Sequence, residues 1–232
     1  MRNYLIYNGI RSKDYGVYID GAGAFSAPSR DTEHITIPGK NGDVIIDNGR
    51  YSNRSLPYKA FIFRDAIRNI EAFRTAMLSV NQYARLEDTY HPDEYVIAQM
   101  EGGIDVEPSD SKEVMRFEIN FSCYPQRWVK EGERPITLTQ SGSIFSQYLT
   151  ESKPLIRAYG VGNFSINGVT AAVTACAKYV DFDSELQDAY EGGASRNSDV
   201  IIGDFPVLSP GTNSIVLNGI SKLVITPRWW KL

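Results

Sequence analysis

Three observations predict a mainly β chain of two modules, an amino-terminal β-sandwich or split-barrel-like domain with one amphipathic helix and a carboxy-terminal β-sandwich. Apolar and polar residues alternate through most of the first half, a period of two that puts every second side chain on a buried sheet face. Only residues 65–80 switch to steps of three and four. Beyond residue 130 the apolar runs are short and bounded by Gly, Asn and Pro, the spacing of a sandwich.

Residues 4–9 and 16–20 read as the opening strands, and 34–42, 43–49 and 56–63 follow, each break marked by Gly or Asn. Pro57 stands at the entry of the last, where a missing N–H is tolerated. In the helix, Ala66, Ile67, Ile70, Phe73, Met77 and Val80 form one apolar face, and Asp65 is placed to cap the first turn. Residues 83–87 and 95–100 pair across the polar stretch between them. Residues 114–124 make a long strand whose buried face is Phe117, Ile119, Phe121 and Cys123.

Pro125 ends that strand, and residues 126–135 are charged, proline-bearing and poor in apolar side chains. A domain boundary has this composition, so the join is placed near residue 130, with domains 1–130 and 131–232. Short strands follow at 136–139, 155–159, 163–166, 169–173, 179–182 and 200–202. Two β-branched runs, 214–217 and 222–226, flank Asn218-Gly219, which predicts a closing hairpin. The chain ends on Arg228, Trp229 and Trp230, side chains that imply a packed end.

With 232 residues, 42% hydrophobic and 22% charged, the chain can bury its cores without staples. Net charge is −4, with 15 Lys and Arg against 18 Asp and Glu in residues 1–127 and 9 against 10 in residues 128–232. Neither half offers a basic footprint for phosphate, so sequence-specific nucleic-acid binding is excluded. Cys123 and Cys176 read as buried free thiols. No signal-like apolar region or bilayer-length window is present, which predicts synthesis and retention in the cytoplasm of the producing cell and no membrane insertion.

No catalytic, metal or cofactor site emerges. Asp181-Phe-Asp-Ser-Glu185 is the densest acidic cluster and reads as a solvated strand end. His34 and His91 lack partners at ligand spacing, and Gly39-Lys-Asn-Gly42 lacks a following helix and reads as a tight turn rather than a phosphate loop. The 14 tyrosines include Tyr51, Tyr90, Tyr148, Tyr179 and Tyr190 in polar stretches, where they serve as sugar platforms, interface anchors or core.

Taken in order, Ile35-Thr-Ile-Pro-Gly-Lys-Asn-Gly-Asp, Tyr58-Lys-Ala-Phe-Ile, the single helix and Cys123-Tyr-Pro-Gln-Arg-Trp-Val resemble the amino-terminal domain of the distal tail protein family of long, flexible-tailed bacteriophages. Pro154-Leu-Ile-Arg-Ala-Tyr-Gly, Phe164-Ser-Ile-Asn-Gly, Tyr179-Val-Asp-Phe-Asp-Ser-Glu, Gly203-Asp-Phe-Pro-Val-Leu-Ser-Pro-Gly-Thr-Asn and Pro227-Arg-Trp-Trp resemble its galectin-like carboxy-terminal domain. The resemblance spans nearly the whole chain.

It implies a structural, non-enzymatic role at the virion tail tip, assembled in the host cytoplasm. Six copies form a ring, single or stacked, between the tail tube protein and the tail-tip protein. The amino-terminal domains surround a channel for DNA, and the galectin-like domains hold receptor-binding or other baseplate proteins. The polar stretch with Asp47, Asn48, Arg50, Tyr51, Asn53 and Arg54 reads as a long loop, an arm bridging adjacent subunits. Tyr179 and Tyr190 are the candidate partner-docking aromatics. Two other readings compete: a free-standing carbohydrate-binding protein that recognises cell-wall glycans, and a glycoside hydrolase using acids near Asp181 and Glu185.

Overall fold

The structure, a computed structural model, describes residues 2–21, 27–63, 65–108 and 114–232. The chain divides into two units, residues 1–127 with Leu232 and residues 128–231.

In the first unit the strands are β1 (Leu5–Tyr7), β2 (Ile10–Arg11), β3 (Val17–Asp20), β4 (Arg30–Ile35), β5 (Val44–Tyr51) and β6 (Arg54–Phe63). After the helix α1 (Ala66–Leu78) come β7 (Ala84–Asp88), β8 (Glu94–Glu101), β9 (Val106–Pro108) and β10 (Val114–Cys123). Seven strands form an antiparallel sheet in the order β2-β1-β7-β8-β10-β6-β3. Its spine is the ladder of β6 with β10, in unbroken register from Val114 opposite Phe63 to Cys123 opposite Arg54. Pro57 sits where β6 is paired on one side only, because β3 covers Lys59 to Ile62.

A flat sheet of this width would hold β1 and β3 roughly 24 Å apart. Here Leu5 and Tyr7 of β1 share one core with Val17 and Ile19 of β3, so the sheet is curled. Buried Ser12 stitches the two ends: its Oγ accepts from the Leu5 amide at 3.2 Å and donates to the Val17 carbonyl at 3.0 Å. The split-barrel expectation rests on this closure. Into the curl, α1 inserts Ala66, Ile70, Phe73 and Met77, with Phe73 meeting Phe117 and Tyr15 at ring distances of 6.2 and 5.8 Å.

Two details of the helix differ from expectation. Ile67 is exposed rather than packed. Asp65 makes no side-chain capping bond, because its backbone is left-handed, with φ 43° and ψ 36°, whereas a capping side chain needs an extended residue to reach the free amides.

At the boundary lies β11 (Arg127–Val129), and the second unit continues with β12 (Ile136–Leu138), β13 (Gly142–Ser146), β14 (Leu155–Tyr159), β15 (Gly162–Ile166), β16 (Val169–Val173) and β17 (Val180–Asp183). It closes with β18 (Asp188–Glu191), β19 (Ala194–Ser195), β20 (Val200–Ile202), β21 (Gly211–Asn218), β22 (Lys222–Thr226) and β23 (Trp230–Lys231). One sheet runs β12-β22-β14-β17-β18-β19 and the other β13-β21-β15-β16-β20. Their inner faces share one core, in which Phe182 meets Phe164 edge-on at 5.2 Å. This is a sandwich.

The closing hairpin is a correction. β21 and β22 belong to different sheets, so Asn218-Gly219 opens a crossover rather than a tight turn. The glycine has another use. Gly219, at φ 84°, lies against the backbone of Gly162, and Asn163 bridges to Gly219. A Cβ on Gly162 would collide with the Asn218 carbonyl oxygen, and one on Gly219 would lie 2.9 Å from the Val161 oxygen.

The tail is packed as expected. Trp229 is buried beside Tyr148, the Arg228 amide donates to the Gly132 carbonyl at 2.8 Å, and the Val129 amide to the Trp229 carbonyl at 3.0 Å. Both cysteines are free, but only Cys123 is buried, and burial pushes its thiol up to about 12. Cys176 is half-buried instead.

Gly162→Ala is expected to destabilise the second unit by about 2–4 kcal/mol, from positive-φ strain plus overpacking. Urea unfolding followed by tryptophan fluorescence checks this, and Gly168→Ala, with open space at its Cβ, separates the strain from the collision.

Candidate assembly interface

β4 and β5 form a two-stranded sheet of their own. Gly39 and Gly42, at φ 81° and 80°, shape the turn between them, where Thr36 Oγ1 donates to Asp43 Oδ1 at 2.9 Å. The hydrogen-bonded turn falls two residues earlier than the predicted Gly39–Gly42, with the Lys40 amide donating to the Ile37 carbonyl at 3.1 Å. Register places Ile35 opposite Val44 and Glu33 opposite Ile46 on one face, and His34 opposite Ile45 on the other.

This hairpin exposes isoleucine on both faces. Ile35 is 44% exposed, Ile37 43%, Ile45 61% and Ile46 43%. A lone two-stranded hairpin is at best marginally stable in water, and open apolar edges invite pairing with another chain. Its chemistry is that of a surface waiting for cover.

The root of the hairpin is polar and internally paired. Arg50 contacts Asp31 at 2.6 Å, Arg30 contacts Asp47 at 3.4 Å and stacks its guanidinium 4.7 Å from the Tyr51 ring, and Asn48 donates to Asp31 at 3.4 Å. Hydrogen bonds from Arg50 and then Asn48 hold the Asp31 carboxyl below its ordinary value.

These are the residues expected in a long loop, and the loop is a correction. Asp47, Asn48, Arg50 and Tyr51 lie within β5, Asn53 in the short connection to β6, and Arg54 is a buried residue of β6. Asn53 ties that connection to the main sheet, donating to the Tyr83 hydroxyl at 2.8 Å and to Ser122 Oγ at 3.1 Å. The exposed isoleucines are the feature that sequence reading missed. The signal was the contiguous Val44-Ile45-Ile46, since adjacent apolar residues in a strand face opposite ways.

In the second unit the acidic cluster is not a solvated strand end. Asp181 and Asp183 are buried on β17. Arg157 forks onto Asp181 at 2.7 and 2.9 Å, and Arg228 onto Asp183 at 2.6 and 2.8 Å. Asp183 also accepts from the Glu185 and Leu186 amides and from the Tyr190 hydroxyl at 3.4 Å. Burial pushes the Asp183 carboxyl up, but these bonds and the Arg228 charge outweigh it and hold it below its ordinary value.

Tyr190 is therefore engaged inward through its hydroxyl, and Tyr179 carries the Arg157 guanidinium 3.9 Å from its ring. Both are half-buried. Tyr179 and Tyr159 meet at a ring distance of 6.0 Å, inclined at 53°. Glu185 pairs with Lys153 at 3.6 Å, so the acids of the hydrolase reading face basic partners rather than one another across a cleft. In the first unit His91 Nδ1 lies 3.0 Å from Asp88, which also accepts from the Tyr58 hydroxyl at 2.6 Å. Among the described residues, no cluster of three His, Cys, Asp or Glu is placed to hold a metal, and no helix is long and apolar enough to cross a membrane.

No protein-family model matches the chain. No curated protein sequence matches it either. Among solved structures it is similar to the crystal structure of the SPP1 Dit protein, described as a paradigm of the hub adsorption apparatus in phages infecting Gram-positive hosts. That match has a TM-score of 0.75 and 16% identity and covers 97% of this chain and 98% of that one. It is also similar to a chain of the phage P2 baseplate in its activated conformation with Ca, at a TM-score of 0.50 and 10% identity over 97% of each chain. The chain shares the fold of the SPP1 Dit protein over 97% of its length.

Asp183→Ala should cost the second unit about 3 kcal/mol at neutral pH by stranding Arg228. Because the folded carboxyl lies below its unfolded value of roughly 3.9, its contribution is complete above that pH and is lost as pH falls through the folded value. Wild-type stability should fall on acidification below about pH 4, and the variant should lose less over the same interval. Denaturation midpoints measured across that range check both.

Proposed function

We propose that the protein is a structural hub of a phage tail tip, with six copies closed into a ring at the end of the tail tube. The first unit, domain 1–130 in the sequence reading, forms the ring around a channel for DNA. The galectin-like domain 131–232 faces outward and holds receptor-binding or other baseplate proteins, and the tail-tip protein docks on the ring. The role is one of assembly, not catalysis, at the virion tail tip after assembly in the host cytoplasm.

The observation that carries this reading is the β4–β5 hairpin, with exposed isoleucines on both faces, on a fold shared over 97% of the chain with the SPP1 Dit protein of a hub adsorption apparatus. A ring repeats one heterologous contact until it closes, so each subunit must project one surface and receive it elsewhere. The hairpin is the projecting surface. The residues Asp47, Asn48, Arg50, Tyr51, Asn53 and Arg54 hold its root, while the isoleucines make the contact. The acidic excess of the first 127 residues, 18 against 15, suits a wall past which DNA slides without sticking.

The wild-type chain is expected to scatter light as a ring, and the double variant Ile45→Lys, Ile46→Lys as a monomer with an unchanged near-ultraviolet circular dichroism spectrum. A wild-type chain that remains single at high concentration contradicts the proposal. The ring should show no tight, salt-sensitive affinity for duplex DNA by fluorescence anisotropy.

A further inference from the structure

Burying an apolar hairpin requires a receiving surface, and the first unit carries one. The start of α1 stands beside the outer face of β6 and β10, leaving an open groove of about 1280 Å³. Phe61, Phe63, Ile67 and Val114 supply apolar lining, and among the described residues its rim carries Arg2, Arg68 and Arg116 with Asp20, Asp65 and Glu71. The lining is firm: Phe63 stacks with Tyr18 at 5.7 Å and lies under the Arg2 guanidinium at 4.0 Å. Ile67, the helix residue that turns outward, is 59% exposed at this groove.

The groove lies far from the root of the hairpin. The hairpin joins β6 at Arg54, whereas the groove is lined by Phe61 and Phe63 at the other end of the same strand. Seven residues of strand separate Arg54 from Phe61, roughly 23 Å. The hairpin does not fold back to fill the groove of its own chain, because its isoleucines are exposed.

Resting on the ring reading above, we propose that this groove receives the β4–β5 hairpin of the next copy. Projecting and receiving surfaces lie at opposite ends of one strand, the arrangement that a head-to-tail contact needs in order to propagate and close. Charge agrees with the match. Arg30, Asp31, Asp47 and Arg50 are paired among themselves at the root, so the distal part brings four apolar isoleucines with Glu33, Asp43 and Lys40 to a rim that offers both signs. The isoleucines that face the groove then pack on aromatic rings.

The test uses the full chain with Cys176→Ser, Cys123 being buried, and adds Ile45→Cys on the hairpin and Ile67→Cys in the groove. A short bismaleimide is expected to join chains into a ladder of dimers, trimers and higher species on denaturing gels, whereas either single variant stops at dimers. The pair Ile37→Cys with Ile67→Cys repeats the test from the hairpin turn. Rings by light scattering without a ladder from either pair would overturn the groove assignment and leave the ring intact. Cross-links confined within one chain would overturn it too. A cysteine-free chain that is monomeric by light scattering would overturn the ring reading itself.

Discussion

The ten-residue ladder between β6 and β10 is the constraint on which the first unit depends. Its inward positions, Leu56, Tyr58, Ala60 and Ile62 on one strand and Met115, Phe117, Ile119, Phe121 and Cys123 on the other, form the floor of the core. Because side chains alternate, the same ladder sets its outward positions, among them Phe61, Phe63 and Val114. A one-residue slip would exchange the two sets and destroy core and groove together. The ladder also fixes the root of the hairpin, since β5 passes into β6 at Ser52 and Asn53, and Asn53 is bonded to Ser122 of β10.

The second unit depends on a different device. Asp183 joins the turn after β17, the Tyr190 hydroxyl and the guanidinium of Arg228 in one buried site. Arg228 holds a left-handed backbone at φ 55°, a conformation that costs free energy and persists where surroundings over-determine it. Its carboxylate partner and the packed Trp229 supply that determination. The Gly162–Gly219 contact lets the backbone change sheets at close range.

Local pattern made most of this legible. The alternation from Val114 to Cys123, the three-and-four spacing from Ala66 to Met77, and the pairing of β7 with β8 all follow from side-chain period alone, and the structure shows each of them. What the sequence hid was tertiary. Asn218-Gly219 has the composition of a hairpin turn, and only the two-sheet arrangement shows that its flanking strands never pair. Asp181 and Asp183 read as solvated because their partners, Arg157 and Arg228, lie 24 and 45 residues away. The polar residues from Asp47 to Tyr51 read as a loop because Gly and Asn commonly break strands, whereas here cross-strand ion pairs hold them in β5. The hairpin itself was visible in Val44-Ile45-Ile46, but as a strand of the main core rather than as one without a core.

The proposed association answers the need to cover the β4–β5 hairpin. Amide hydrogen exchange across residues 30–51, compared between concentrated protein and protein diluted until it dissociates, measures that need most directly. Slow exchange along both strands in the concentrated state, becoming fast on dilution, is the result this account predicts. Fast exchange at every concentration, with the β6–β10 ladder fully protected throughout, would contradict it.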